Sequence, residues 1–478
     1  MERRMRGNSH VRCEWGEKPE ITSKVYLSIF LKRVNVEKDV DITNTESLIN
    51  EKEYNRSDTE NVINQTLVEA QGYHFSSKVA TEALEITNSN KSILDTHERT
   101  INSLENIRIL LGEEVKTKKK VYWEYGHPQL ENRHILITGK SGVGKTYFIQ
   151  CLLLELARHN ISSIIFDYTD GFKNSKLEPE FKGYLGDRIK QFHVQMQGFP
   201  INPFKKNLKE IDEGLYKEEE NADVAERIRS VFAAVYKGMG DQQANAIYRA
   251  TMRGLQKYGA KMNLQYLRDE LEVDGSSYAK TALAKIEPLI DRNPFDSESE
   301  YNWEEHRKQE GVIFVVQLSG FVREVQLIVT EFILWDLWNF NLSHGDKTKP
   351  FPVILDEAQN LDHSESSPSA KILTEGRKFG WSGWYATQFL QGQLDKDEIQ
   401  RLQNASQKVY FSPPESEISD IASFLSMDNQ KRKEWALKLS SLGKGQCIVS
   451  GPVLGANGNL ERGAPMIINI TSLGERIK

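Results

Sequence analysis

An α/β fold with a mainly parallel sheet, a helical insertion and a polar N-terminal appendage is what this sequence predicts, and three observations carry the prediction. From Ile135 onward, short apolar runs alternate with helix-length stretches, the pattern of strands joined by crossover helices. The run Ile135-Leu136-Ile137 passes through Gly139-Lys140-Ser141-Gly142-Val143-Gly144-Lys145-Thr146 into the apolar stretch Tyr147 to Leu154, which reads as strand, glycine loop and helix. A later apolar run, Pro352-Val353-Ile354-Leu355, ends in Asp356-Glu357.

Composition bounds the rest. A chain of 478 residues is too long for one ordinary domain, and about two to three are expected. Hydrophobic residues at 38% and charged residues at 27% describe a globular protein with polar segments. The formal net charge of -6 shows no overall basic footprint, so nucleic-acid binding cannot be argued from charge alone. Three cysteines, Cys13, Cys151 and Cys447, lack any paired ligand spacing, which argues against a disulfide framework or zinc site and for a reducing cytoplasm. The start, Met1 to Arg6, has no apolar signal-peptide region. The most apolar long run, Val325 to Trp338, is broken by Glu331 and Asp336 and reads as a buried helix, so no membrane span is expected.

Residues 1–105 are polar and form the expected appendage or linker, with a strand at Val25 to Leu31 and weak helical patterns at Lys78 to Ile86 and Ser92 to Leu104. The first part of the core is expected over 106–208. It begins with Ile107 to Gly112 and Val121 to Tyr125 around a charged turn, a hairpin leading into the strand before the glycine loop. Trp123 or Tyr125 could stack on a nucleotide base, or simply pack across strands. After the loop helix, Ile161 to Phe166 forms a strand ending at Asp167 and Asp170, which topology places near the ligand end of a parallel sheet. Those two acids read either as turn caps or as groups near a metal.

Residues 209–305 break the alternation and are expected to be a helical insertion. Arg249, Arg253, Lys257 and Lys261 are spaced for one helix face, a stripe suited to DNA phosphates or a solvated charged face; Gly254 and Gly259 weaken the helix. The second part of the core is expected over 306–478. It holds the strands Val312 to Leu318, Pro352 to Leu355 and Trp384 to Gln388, then Lys408 to Phe411, Gly445 to Gly451 and Met466 to Ile470 as closing strands of the same sheet.

Chemistry follows from these positions. Glycines in the loop Gly139 to Thr146 let backbone N–H groups turn inward onto phosphate oxygens, and the helix that follows adds the positive end of its dipole. Lys145 is expected to reach the β and γ phosphates of ATP, and the Thr146 hydroxyl to hold Mg²⁺. Asp356 is expected to position the same Mg²⁺ and Glu357 to orient or deprotonate the attacking water. Gln388, at a strand end beside the γ-phosphate, is a sensor candidate. Arg377, just before a glycine turn, could serve a neighbouring subunit or pair within its own chain.

Taken together, GKSGVGKT, DYTDGF, VILDEAQN, EGRKFG, the strand ending in ATQ and the late GQCIVSG resemble the HerA/FtsK superfamily, HerA most of all. VYWEY with DYTDGF also resembles the ATPase part of DptH-type proteins of phosphorothioate-dependent DNA restriction. The likeness covers roughly 134–470. It implies a RecA-like P-loop ATPase core, a homo-hexameric ring with ATP and Mg²⁺ between subunits, Arg377 as the finger acting in trans, and Gln388 as sensor. It further implies a double-stranded DNA translocase working with a nuclease in restriction, antiviral defence or end processing. HerA-like chains begin with a small β-barrel that docks the nuclease, and residues 1–105 do not read as one. Kept beside this are a nucleotide-gated switch without useful turnover, a type IV secretion-like ATPase that moves protein, and a superfamily-2 helicase, for which too little chain follows Gln388.

Overall fold

The computed structural model describes residues 104–478 apart from 213, 214, 366, 392 and 393. The strand expected at Val25 to Leu31 and the helices expected before Leu104 lie outside the described residues.

The chain opens with β1 (Ile109–Glu114) and β2 (Lys120–Trp123), an antiparallel pair around a turn where Lys118 takes a positive φ. Next come β3 (Ile135–Thr138), the glycine loop and α1 (Lys145–Arg158), then β4 (Ser163–Asp167) and β5 (Ile189–His193). A small separate hairpin, β6 (Leu208–Asp212) with β7 (Leu215–Glu218), precedes four helices: α2 (Asn221–Val235), α3 (Asp241–Tyr258), α4 (Leu264–Asp274) and α5 (Ser277–Arg292). The segment read from sequence as helical from Lys209 therefore starts as strand.

The sheet then resumes with β8 (Ile313–Gln317), α6 (Arg323–His344), β9 (Phe351–Leu355), α7 (Pro368–Glu375), β10 (Trp381–Thr387) and β11 (Gln407–Tyr410). Helices α8 (Ile418–Leu425) and α9 (Asn429–Ser440) lead to β12 (Gln446–Ser450). A second hairpin, β13 (Pro452–Leu454) with β14 (Leu460–Arg462), comes before β15 (Met466–Asn469).

Eleven of these strands share one sheet in the order β2-β1-β15-β12-β11-β3-β10-β9-β4-β8-β5. From β11 to β5 every neighbouring pair is parallel, while β12, β15, β1 and β2 add an antiparallel flank. The fold is mixed α/β with a mostly parallel sheet. The opening hairpin lies at the outer edge, three strands from β3, rather than beside it.

Alternation along the strands explains the layers. Ile135 and Ile137 of β3 join the core on the α1 side, with Ile165, Ile354 and Trp384, while Leu136 faces the core built with α6 and the inserted helices. Helix α1 is apolar nearly all round, and its residues from Phe148 to Ala157 are buried, as expected for a helix enclosed between a sheet and other elements.

Trp123 and Tyr125 are both fully buried, edge to face with ring centroids 4.9 Å apart, and Trp123 lies 5.9 Å from Trp384. They are core residues, which removes them as candidates for stacking on a nucleotide base. Trp123→Ala is expected to cost about 3–5 kcal/mol of stability in denaturant unfolding and to leave the affinity of the folded protein for nucleotide unchanged.

Candidate active site

The site collects at the carboxyl ends of β3, β10 and β9, three adjacent parallel strands. Strand β10 lies between the phosphate-loop strand and the Asp356 strand, with Thr387 paired to Thr138 and Tyr385 paired to Leu355. Gln388, one residue further, therefore descends between the loop and Glu357.

The loop has the backbone a phosphate cradle needs. Gly139, Gly142 and Gly144 take φ values of 152°, 79° and 110°, where a side chain is strained. A Cβ at Gly139 would sit 2.5 Å from the Cβ of Phe411, so glycine is required there by space as well. Helix α1 starts directly at Lys145, and no acidic residue occupies its first turn. The Lys145 ammonium donates to the carbonyls of Gly139 and Lys140, folding back over the space the loop encloses. Burial lowers its pKa, while Asp356 and Glu357 oppose that shift, so both carboxylates lie within its field.

Burial and the neighbouring charge of Glu357 push the Asp356 carboxyl up to about 7, with Lys145 working in the opposite direction. Two acids held beside one lysine at a strand end form an arrangement that a divalent cation relieves. Among the described residues, no group of three His, Cys, Asp or Glu side chains stands ready to hold a metal ion. Mg²⁺ needs no such group, since it is bound through one or two carboxylates together with substrate phosphates. Thr146 lies beside the turn after β4: a Cβ at Gly171 would be 4.0 Å from its hydroxyl oxygen.

Glu357 has a left-handed backbone at φ 55° and ψ 37°, a strain of about 1–2 kcal/mol for a residue with a side chain. Gln388 Nε2 donates to its Oε1, and Gln359 Nε2 donates to its Oε2 at 2.5 Å.

Asp167 lies nearby but is committed to its own turn. Its carboxylate accepts from the backbone N–H groups of Thr169, Gly171 and Phe172 and from Gln317 Nε2 at 2.8–3.2 Å. Asp170 forms a 2.8 Å ion pair with Lys173. The capping alternative describes Asp167, while Asp170 is an ion-pair partner.

Arg377 is elsewhere. It precedes β10, whose seven residues run up to the site, so about 20 Å of strand separates it from its own phosphate loop. It is exposed and, among the described residues, forms no ion pair; its charge is felt by Arg133, whose pKa is lowered mainly by burial. Among the described residues, the intrachain ion pair that sequence allowed is not formed.

The cationic stripe is only partly a stripe. Helix α3 runs through Gly254, where Met262 fills the space a side chain would need, but it ends at Gly259 with φ 56°, leaving Lys261 in a separate turn. Arg249 pairs with Asp274 at 3.9 Å, Arg253 with Glu270 at 3.3 Å and Asp274 at 3.5 Å, and Lys257 with Glu270 at 3.2 Å. These cations tie α3 to α4, and a phosphate must compete with two acids for them.

Sequence reading missed several groups that shape the site. Lys140 N–H donates to Ser412 O at 3.0 Å, and Gly445 N–H to Val143 O at 3.4 Å, so the excursion carrying α8 and α9 leaves and returns against the loop. Buried Glu417 accepts the N–H groups of Leu390 and Gln391 at 2.6 and 2.8 Å, fixing the segment after Gln388. No local sequence signal marks these long-range contacts. Gln359 could have been noticed from its place two residues after Glu357.

Residues 126–337 match the family model described as helicase HerA, central domain. No curated protein matches the chain. Among solved structures, VirB4 of Thermoanaerobacter pseudethanolicus superposes with a TM-score of 0.56 at 16% identity, over 77% of this chain and 97% of that one. The bacterial conjugative coupling protein TrwB, in a form with sulphate, gives 0.51 at 15% identity over 72% of this chain and 87% of its own. TrwB with the non-hydrolysable ATP analogue ADPNP gives 0.50 at 14% identity over 71% and 85%. At such identities the structural likeness concerns the fold, a P-loop ATPase fold, and residues 126–337 within it are similar to the HerA central domain.

Proposed function

We propose that this chain is an ATP- and Mg²⁺-dependent translocase that works as a homo-hexameric ring on double-stranded DNA, together with a nuclease, in restriction, defence or end processing. Its carrying observation is the split placement of these residues, with Lys145, Asp356, Glu357 and Gln388 at one end of the sheet and Arg377, exposed and without an ion pair among the described residues, at the other. An arginine so placed serves no site in its own subunit and suits one in a neighbour. The likeness to TrwB, solved with an ATP analogue, supports the choice of nucleotide.

In this proposal the loop 139–146 holds the phosphates through its N–H groups and Lys145. Mg²⁺, if bound there, would supply charge neutralisation for the phosphates. Thr146 and Asp356 are the residues to hold it, and Asp356 must lose its proton to do so. Glu357 orients the attacking water and takes its proton, Gln388 reports on the γ-phosphate, and Arg377 of the adjacent subunit stabilises the charge that develops in transfer. For DNA, the partly exposed Arg249, Arg253 and Lys257 remain the candidates, in competition with Glu270 and Asp274.

ATP hydrolysis by the assembled ring, with and without duplex DNA, tests this. Stimulation by duplex is expected. Turnover that does not change in a sample shown to be hexameric contradicts the DNA assignment and favours a secretion-like ATPase that moves protein, a reading the likeness to a conjugative coupling protein supports equally. Among the described residues no helix is long and apolar enough to cross a membrane.

A further inference from the structure

The Glu357 carboxylate is held from both sides. Oε1 accepts from Gln388 and Oε2 from Gln359 at 2.5 Å, so each oxygen already has an amide donor. The two donors differ in how they are mounted. Gln388 lies just past the end of β10, the strand paired with β3, is half-buried and donates to Glu357. Gln359 is 6% exposed and belongs to the short 3-10 turn Ala358–Asn360 that Glu357 itself opens with its left-handed backbone.

That turn is braced from behind. The Ala358 carbonyl can only accept, so His363 donates to it through Nε2 at 2.6 Å. The other ring nitrogen, Nδ1, then accepts from the Ser369 hydroxyl at 2.8 Å. Burial keeps the ring neutral, since it lowers the His363 pKa, and Arg401 donates to the His363 carbonyl at 2.8 Å. Gln359 therefore stands on a fixed support. Its own Oε1 is buried without a hydrogen-bond partner, and its amide N–H is spent on Glu357.

We infer that Gln359 is a positioning residue for the hydrolytic step, an inference that rests on Glu357 acting as proposed above. It holds Oε2 in every nucleotide state. Oε1 is the working oxygen, blocked while Gln388 donates to it and released when Gln388 turns to the γ-phosphate. The water's proton then passes to Oε1 as the water oxygen bonds to phosphorus and the bond to the departing ADP oxygen breaks. Without Gln359 the carboxylate is free to rotate about its last torsion, and the strained Glu357 backbone no longer delivers it in one orientation.

The test uses the assembled protein with saturating Mg²⁺ and ATP. Gln359→Ala and the near-isosteric, uncharged Gln359→Met, which fills the same space but lacks the donor, are each expected to lower kcat about 10–100-fold. KM and the affinity for a non-hydrolysable ATP analogue should stay within about twofold, and Gln359→Asn should recover part of the loss. Adding Gln359→Ala to Glu357→Gln should lower the residual rate no further, because the first residue acts only through the second. A full additional loss in that double variant identifies a merely structural role and overturns the inference. Wild-type kcat in both Gln359→Ala and Gln359→Met, with Glu357→Gln inactive, also overturns it while leaving the assigned base intact. Full turnover in Glu357→Gln overturns the base and the positioning residue together.

Discussion

Glu357→Gln is expected to bind ATP as the wild type does and to hydrolyse it at least about 10²–10⁴-fold more slowly. The substitution keeps the size of the side chain and removes the acceptor for the water's proton, while Lys145, Thr146 and Asp356 stay in place at the loop. It also relieves part of the charge crowding that raises Asp356, since Glu357 is the second cause of that shift after burial. Mg²⁺-nucleotide binding should therefore be as tight or tighter, and bound ATP should accumulate. Phosphate release and the affinity for a fluorescent ATP analogue, measured on the same sample, separate the two effects. Lys145→Ala serves as the opposite control: it removes a cation that interacts with both carboxylates at the loop, and binding itself should fall.

Arg377→Ala is expected to lower turnover about 10³–10⁵-fold, the range found when an arginine acting on the transferring phosphoryl group is withdrawn. Nucleotide binding to an isolated subunit should be unaffected, because the residue stands about 20 Å of strand away from its own loop. Its stability cost should be small, as the side chain is exposed and takes part in no ion pair among the described residues. Removing it even relieves the repulsion it exerts on Arg133. A variant that folds normally, binds ATP normally and fails to turn over is the signature of a group that works outside its own subunit.

What was legible in the sequence is local. The glycine loop reads directly, because strand, turn and helix are contiguous and the glycines at 139, 142 and 144 are demanded by backbone conformation at those very positions. The strand ending at Asp356 reads for the same reason, and so do the closing strands from Lys408 onward. The sheet order does not read: nothing local says that β15 returns to pair with β1, which pushes the opening hairpin to the far edge.

Aromatic residues on a short strand reveal no face, so Trp123 and Tyr125 could be weighed as base-stacking groups although they are sealed in the core. Spacing correctly aligned Arg249, Arg253 and Lys257, but their partners Glu270 and Asp274 arrive from another helix. Helix propensity misjudged Gly254, which is kept for the close approach of Met262. For the candidate site, the motif residues could be named from sequence, and the groups that contact them could not. Gln359, His363, Ser412 and Glu417 act through contacts that only the folded chain creates.

The central claim is that one site is built from two subunits, and subunit mixing tests it most directly. Arg377→Ala and Glu357→Gln proteins, each nearly inactive alone, are combined in varying ratios and the ATPase rate of the mixed assembly is measured. Activity should reappear at intermediate ratios, where a subunit with an intact Glu357 adjoins one with an intact Arg377. A rate that stays at the level of the separate variants at every ratio, in assemblies shown to contain both, contradicts the shared site.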